Sequence, residues 1–181
     1  MSSSFNDLLS PLSRFRPVGD AVFNVLEGAE LPEPFRGLLV HNGDMTSRLQ
    51  SFHQCNIVLE VLASEVSGSV YAREVLLRSA ATAAPVEYGA IEILPDEFEP
   101  ELRTQILEGR VPLGGLLNAS GVKYFSQPQA YFSVQHDGAL GAVFGVASEQ
   151  PLYGRCNVLH KECGKVFARI VEVLPSVALN E

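Results

Sequence analysis

The sequence predicts an α+β fold in which strands joined by hairpins form one antiparallel sheet. Two observations support this prediction. Runs of alternating apolar and polar residues follow one another across short turns, as at 56–66 and 69–79, which meet near Ser67-Gly68. Segments with helical spacing interrupt these runs in the front and middle of the chain instead of alternating regularly with them. That order is typical of an antiparallel sheet and not of repeated βαβ units.

Short helices are predicted at the front of the chain. Because the first forty residues are rich in Pro and Gly, the helices expected there cover only 5–9 and 20–27. A brief helix is predicted at 35–41, followed by a helix at 44–53 with Met45 at or near its N-terminus. Free backbone N–H groups at such a helix start can hold an anion.

The middle of the chain is predicted to pass from strands to helices. After the first hairpin, a third strand is expected at 85–94, and helical spacing follows at 95–109, where Gly109 is the expected C-cap. Residues 112–118 then predict a short helix or a tight loop, in which Gly114 and Gly115 let a backbone approach another group closely.

The last third of the chain is predicted to be β again. The expected elements are a strand at 123–135, a turn at Asp137-Gly138, a Gly- and Ala-rich strand or loop to Ser148, and a hairpin of 153–161 and 165–174.

Length and composition predict one domain over residues 1–181, with 1–34 as an N-terminal wrapping segment. With 181 residues, 46% of them apolar, the chain is long enough to enclose a pocket. Its net charge of -8 and scattered basic residues predict no nucleic-acid partner. Because no signal peptide and no run long enough to span a bilayer is visible, we expect a cytoplasmic chain without membrane insertion.

The sequence predicts no metal and no cofactor. The three cysteines form no C-x-x-C pair, and the four histidines lack ligand spacing. No phosphate-binding loop, dinucleotide fingerprint or nucleophile elbow is found. Nothing in the sequence indicates an oligomeric state.

Two charged residues lie in apolar strand faces. If the last strand is extended, Glu172 shares a face with Ile170 and Leu174, so its carboxylate requires a partner, a raised pKa or a ligand. Arg73 lies in the same way beside Val75 on the second strand of the hairpin. The sequence leaves three readings open: a structural ion pair between Arg73 and Glu172, a sheet face that is exposed to water, or a binding site between the two residues.

Further residues fit a site for a small, flat anion. They are the helix start at Met45, the Pro-Leu-Gly-Gly segment 112–115, and Arg155 in the penultimate strand. A guanidinium holds a carboxylate bidentately while backbone N–H groups take its remaining lone pairs. A glutamate at the opposite end would meet a hydroxyl group.

Several sequence blocks resemble the chorismate lyase (chorismate pyruvate-lyase) family over residues 35–176. In order, these blocks are 38–46 (LLVHNGDMT), 71–77 (YAREVLL), Pro85-Val86, 110–117 (RVPLGGLL), 152–155 (LYGR) and 170–175 (IVEVLP). The resemblance implies an antiparallel sheet of about six strands with helical flaps over an internal ligand cavity. It also implies a carbon–oxygen lyase that cleaves chorismate to 4-hydroxybenzoate and pyruvate without a cofactor.

The resemblance assigns roles to individual residues. Arg73 and Glu172 match the catalytic residues of that family. Arg73 would hold the ring carboxylate together with the backbone amides of Met45 and Leu113, and Glu172 would meet the ring hydroxyl. Arg155 is left to hold the second half of the substrate, unless this chain accepts a different second half.

The chain departs from that family at two adjacent positions. Better-known bacterial members carry a second arginine and a serine after the Gly-Arg pair, where this chain has Cys156 and Asn157. Two alternatives therefore stay open. One is a related lyase acting on another chorismate-derived substrate. The other is a non-catalytic aromatic-acid (effector) binding module of the same fold, which occurs in some bacterial transcription regulators behind a winged-helix domain. Only residues 1–34, an acidic-to-neutral segment, precede the matched region, which disfavours this second alternative.

Overall fold

A seven-stranded antiparallel sheet is the central feature of the computed structural model, which describes residues 4–18, 21–135, 138–145 and 150–176. The strands are β1 (Phe23–Leu26), β2 (Ile57–Ser67), β3 (Val70–Ser79), β4 (Pro85–Ile93), β5 (Phe125–Val134), β6 (Leu152–His160) and β7 (Val166–Leu174). Their order across the sheet is β1-β5-β6-β7-β4-β3-β2. The predicted α+β class with one antiparallel sheet is confirmed.

Short helices precede, interrupt and flank these strands. They are α1 (Phe5–Leu8), α2 (Ser10–Ser13), α3 (Phe35–Leu39), α4 (Met45–His53), α5 (Pro100–Glu108), α6 (Leu113–Ser120) and α7 (Gly138–Phe144), with single 3₁₀ turns at Gly28–Glu30 and Pro95–Glu97. Asp44 caps α4 by accepting a hydrogen bond from the backbone N–H of Ser47 at 2.8 Å. Gly109, at φ +68°, ends α5 in the left-handed conformation that glycine tolerates best.

Two predicted elements differ from the structure, and the first is a predicted helix that is a strand in the structure. The helix expected at 20–27 is wrong within the described residues, because Phe23–Leu26 pairs with β5 as the edge strand β1. The ring of Phe23 also packs edge-to-face on Phe132 of β5, with 5.4 Å between ring centroids. Pairing and aromatic packing outweigh the weak helical spacing of this short segment, and they add the seventh strand to the expected six.

The second difference is the helix α7, where a Gly- and Ala-rich strand or loop was expected. Its apolar residues Leu140 and Phe144 are four positions apart and are both buried in the core, as one face of a helix allows. The predicted turn at Asp137-Gly138 falls partly outside the described residues. Gly138 is the first residue of α7.

The two faces of the sheet have different roles. One face carries the main apolar core, to which Leu76, Tyr88 and Val171 belong. At this face Arg16 holds Glu74 through two hydrogen bonds of 2.8 and 3.0 Å, which ties the N-terminal part of the chain to the sheet. The opposite face carries the residues on which the candidate site is built.

No helix in the described part of the chain is long and apolar enough to cross a membrane. Among the same residues, no three His, Cys, Asp or Glu side chains are grouped so that they could hold a metal ion.

Candidate functional site

A cavity lies between the second face of the sheet and the N-terminal ends of α4 and α6. The five residues that the sequence predicts for ligand binding all line it: Met45, Arg73, Leu113, Arg155 and Glu172. Its water-accessible volume is about 80 Å³, several times the space that one water molecule requires. The structure therefore brings these residues together, and their role in binding stays a prediction.

Strand pairing sets the separation of the charged residues. Glu172 on β7 lies opposite Arg155 on β6 and opposite Gly89 on β4, whereas Arg73 lies on β3, opposite Ile91. Neighbouring strands are about 4.8 Å apart, so Arg73 and Glu172 start from strands about 10 Å apart. Gly89 has no side chain and leaves open floor between them.

Arg73 is a buried cation without a carboxylate partner among the described residues. Only 2% of it is exposed, and its Nη2 donates a hydrogen bond to the carbonyl of Val111 at 3.3 Å. Its Nε and Nη1 have no hydrogen-bond partner in the described part of the chain. Burial lowers the pKa of Arg73, and the nearby Tyr71 opposes this effect. A buried guanidinium with free N–H groups favours an anion in the cavity.

The starts of α4 and α6 add backbone donors beside this cation. Met45 and Leu113 are the first residues of the two helices, and the first N–H groups of a helix have no partner within it. Pro112, at the N-cap of α6, supplies no side-chain hydrogen bond. The positive ends of two helix dipoles thus flank the same cavity as Arg73.

The two helix starts are also joined to each other. Asn118 of α6 donates a hydrogen bond from Nδ2 to Oδ2 of Asp44 at 3.2 Å, and Tyr124 donates from its hydroxyl to Oδ1 of Asn118 at 3.3 Å. Gly114 packs so tightly on Asp44 that an added Cβ would lie 2.7 Å from the Cβ of Asp44. The cover of the cavity is one connected unit.

Glu172 is paired with Arg155 and not with Arg73, so the reading of a direct ion pair between Arg73 and Glu172 is wrong. Nε of Arg155 donates a hydrogen bond to Oε2 of Glu172, because the two residues lie directly opposite each other on neighbouring strands. Nη1 of Arg155 also donates to the carbonyls of Leu39 and His41, both at 2.9 Å. Burial and the positive charge of Arg155 lower the pKa of His41 to about 4.

Sequence reasoning missed Glu87, which lines the same cavity. It is buried, and its Oε2 has no hydrogen-bond partner among the described residues. Burial raises the pKa of Glu87 well above its ordinary value, and the neighbouring Glu172 raises it further while Arg155 opposes the shift. The alternation of β4 was a usable signal, since Glu87 shares a strand face with Gly89 and Ile91.

The two positions that depart from the family pattern lie on opposite faces of β6. Asn157 lines the cavity and donates a hydrogen bond from Nδ2 to Oγ of Ser126 at 2.9 Å. Cys156 lies in the apolar core, where burial raises the pKa of its thiol to about 12. Of the two departures, only Asn157 contributes to the site.

Several solved structures share this fold. The effector domain of PhnF from Mycobacterium smegmatis matches with a TM-score of 0.58 and 12% identity, over 75% of this chain and 90% of that domain. A structure of PhnF from the same organism gives a TM-score of 0.57 and 12% identity over 76% of this chain, and the match spans only 65% of the PhnF chain. The ligand-binding domain of a predicted GntR-family transcriptional regulator from Bordetella bronchiseptica matches with a TM-score of 0.51 and 13% identity, over 67% of this chain and 86% of that domain. No protein-family model and no curated protein matches the sequence.

These comparisons correct the prediction of an enzyme. At 12 to 13% identity they establish the fold, so the resemblance found in the sequence holds at the level of a chorismate lyase-like fold. The structures named above are an effector domain and a ligand-binding domain of a regulator, and not lyases. The prediction of a chorismate lyase is therefore wrong, and the findings agree better with the alternative of a binding module.

Proposed function

We propose that this chain is a non-catalytic binding module for a small aromatic carboxylic acid. The carboxylate of the ligand lies against Arg73 and the backbone N–H groups of Met45 and Leu113, and its ring covers the floor at Gly89. A polar substituent across the ring reaches the pair formed by Arg155 and Glu172.

The observation that carries this proposal is that Arg73 is buried with unpaired N–H groups. It is buried, lacks a carboxylate partner among the described residues and keeps two N–H groups free beside two helix starts. A buried charge without a counter-ion is costly, and a bound carboxylate removes that cost through charge-assisted hydrogen bonds.

The end of the cavity at Arg155 and Glu172 favours a ligand with a neutral polar substituent. Glu172 and Arg155 already neutralise each other, so this end offers hydrogen bonds without net charge. The walls between the two ends include the apolar side chains of Val75, Ile91 and Ile170, which suit the faces of a ring.

Calorimetric titration of the protein with benzoate and 4-hydroxybenzoate tests the proposal. Both acids are expected to bind, 4-hydroxybenzoate more tightly, and the uncharged 4-hydroxybenzamide at least about tenfold more weakly because it lacks the carboxylate. Arg73→Gln should abolish the difference between acid and amide. Arg78→Gln is the matched control, since Arg78 lies on the same strand but pairs with Glu60 at the exposed surface.

Two results would refute the proposal. One is equal affinity for the acid and the amide in the original protein, which would remove the carboxylate site at Arg73. The other is stoichiometric release of pyruvate from added chorismate, which would show turnover where we expect none.

A further inference from the structure

Glu87 carries a buried carboxyl group that has no role in the proposed binding of the ligand's carboxylate. Only 4% of the residue is exposed, it lines the cavity, and its Oε2 has no hydrogen-bond partner among the described residues. A buried polar atom left unpaired costs roughly 1 to 3 kcal/mol. Such an atom at a cavity wall is explained if a ligand satisfies it.

The position of Glu87 on β4 brings its carboxyl group over the floor of the cavity. Gly89, two residues further along the same strand face, lies opposite Glu172, so Glu87 is a diagonal neighbour of Glu172. Its Oε1 lies 3.6 Å from the point where a Cβ on Gly89 would be. The carboxyl group therefore borders the space between Arg73 and Glu172 in which we place the ring.

The charges around Glu87 favour its neutral form. The other charged and titratable side chains of the cavity wall are Asp44 at the start of α4, Arg73 on β3, Tyr124 before β5, Arg155 on β6 and Glu172 on β7. Arg155 is already engaged by Glu172 and by two backbone carbonyls. Burial and the charge of Glu172 raise the pKa of Glu87, so both factors favour the protonated form of its carboxyl group.

A neutral Glu87 makes this end of the cavity rich in donors. Its O–H group is one donor. Nη2 of Arg155 is a second, because it is buried and has no hydrogen-bond partner among the described residues. Both groups require an acceptor atom, and an ammonium group has none to offer.

We propose, building on the function proposed above, that Glu87 is a specificity-determining residue that donates a hydrogen bond to an acceptor oxygen on the ligand, opposite its carboxylate. The ligand class is thereby narrowed to aromatic acids with a carbonyl or hydroxyl oxygen at that end. Acids with an ammonium group there are excluded.

Two ligands of nearly equal shape test this inference. 4-Acetylbenzoate carries an acceptor oxygen, and 4-isopropylbenzoate replaces it with a methyl group. Calorimetric titration at neutral pH should show that the original protein binds 4-acetylbenzoate at least about tenfold more tightly. Glu87→Gln should keep this preference, because the amide still donates. Glu87→Leu should keep its fold and show a smaller preference, because only the donor of Arg155 is left.

The pH dependence separates a hydrogen-bond donor from a merely structural residue. The preference should be full below the pKa of Glu87 and disappear as the pH rises through it, because the ionised carboxylate only accepts hydrogen bonds. Glu87→Gln has no proton to lose and should keep a constant preference over the same range. Glu60→Leu, at an exposed glutamate of β2, is the control and should behave like the original protein.

The outcomes distinguish this inference from the proposed function. If the original protein and Glu87→Leu prefer 4-acetylbenzoate over 4-isopropylbenzoate equally, Glu87 does not have the proposed role. The function proposed above is then unaffected, because both acids still bind at Arg73. Tighter binding of 4-(aminomethyl)benzoate than of 4-acetylbenzoate also overturns the role of Glu87, since Glu87 would then act as an ionised acceptor. If neither acid binds, or if Arg73→Gln binds both unchanged, the function proposed above fails as well.

Discussion

The ion pair between Arg155 and Glu172 stabilises the fold as well as shaping the cavity. Both side chains are buried, and removing one partner of such a pair leaves an uncompensated charge in the interior. We expect Glu172→Ala to lower the free energy of unfolding by about 3 to 5 kcal/mol, measured by urea denaturation. Replacing both residues by methionine should recover most of that loss, because no charge is then left unpaired.

An exposed pair provides the control for that experiment. Arg78 and Glu60 form a salt bridge of 2.6 Å at the surface of the sheet, where water screens the charges. Glu60→Ala should therefore change the free energy of unfolding by less than about 1 kcal/mol. If Glu172→Ala costs no more than Glu60→Ala, the buried pair contributes nothing special to stability.

At the level of single residues, the sequence predicted which side chains lie together better than it predicted the contacts between them. Alternation along strands placed Arg73 and Glu172 on apolar faces, and the structure brings both to one cavity. The partner of Glu172 was not predictable, because strand order decides that Arg155 and not Arg73 lies beside it. Glu87 was missed because a single glutamate in a predicted strand is most often exposed.

At the level of secondary structure, the contact between the starts of α4 and α6 is testable with two neighbouring glycines. An added Cβ at Gly114 would lie 2.7 Å from Asp44, whereas one at Gly115 would meet only Val111, at 3.7 Å. Alanine in a helix gains up to about 1 kcal/mol over glycine at either position. We expect Gly115→Ala to be as stable as the original protein or more so, and Gly114→Ala to be less stable and to bind benzoate more weakly.

Urea denaturation gives the stability of both variants, and hydrogen exchange shows where the change lies. In Gly114→Ala the amides of α4 and α6 should exchange faster than in Gly115→Ala, because the added methyl group pushes the two helix starts apart. Identical stability and exchange in the two variants would mean that the tight contact at Asp44 does not hold the cover closed.

The secondary-structure elements that the sequence predicted correctly are those with strong local signals. The hairpin of β2 and β3 has clear alternation and a turn at Gly68, at φ +59°, and α5 has apolar spacing and a glycine C-cap. The strand β1 was missed because it is only four residues long. Its partner β5 is about a hundred residues away in the chain, so no local pattern reveals the pairing.

At the level of the whole molecule, one apolar cluster lies on the face of the sheet opposite the cavity, and two others border the cavity itself. One face carries the apolar core with Phe132 and Val173. The other carries the cavity, whose buried polar groups are costly unless they are paired or bound. Substitutions at Glu87 can therefore change binding while the cluster on the opposite face stays intact, whereas Met45 and Leu113 belong both to the cavity wall and to an apolar cluster.

The net charge of the whole chain should oppose the arrival of an anionic ligand. The formal charge is -8, and the positive charge of Arg155 does not offset it because Arg155 is paired with Glu172. Raising the salt concentration from about 0.01 M to about 0.15 M shortens the Debye length from about 30 Å to about 8 Å. We therefore expect the association rate constant of benzoate, measured by stopped-flow tyrosine fluorescence, to increase with salt. The dissociation rate constant should change little, because the contact with Arg73 is buried.

A charge-reversal variant tests the same effect without added salt. Glu99 and Glu101 are exposed and lie outside the cavity wall, and replacing both by lysine should raise the association rate constant at low salt. If the association rate constant of the original protein instead decreases with salt, a positive field at the entrance outweighs the net charge.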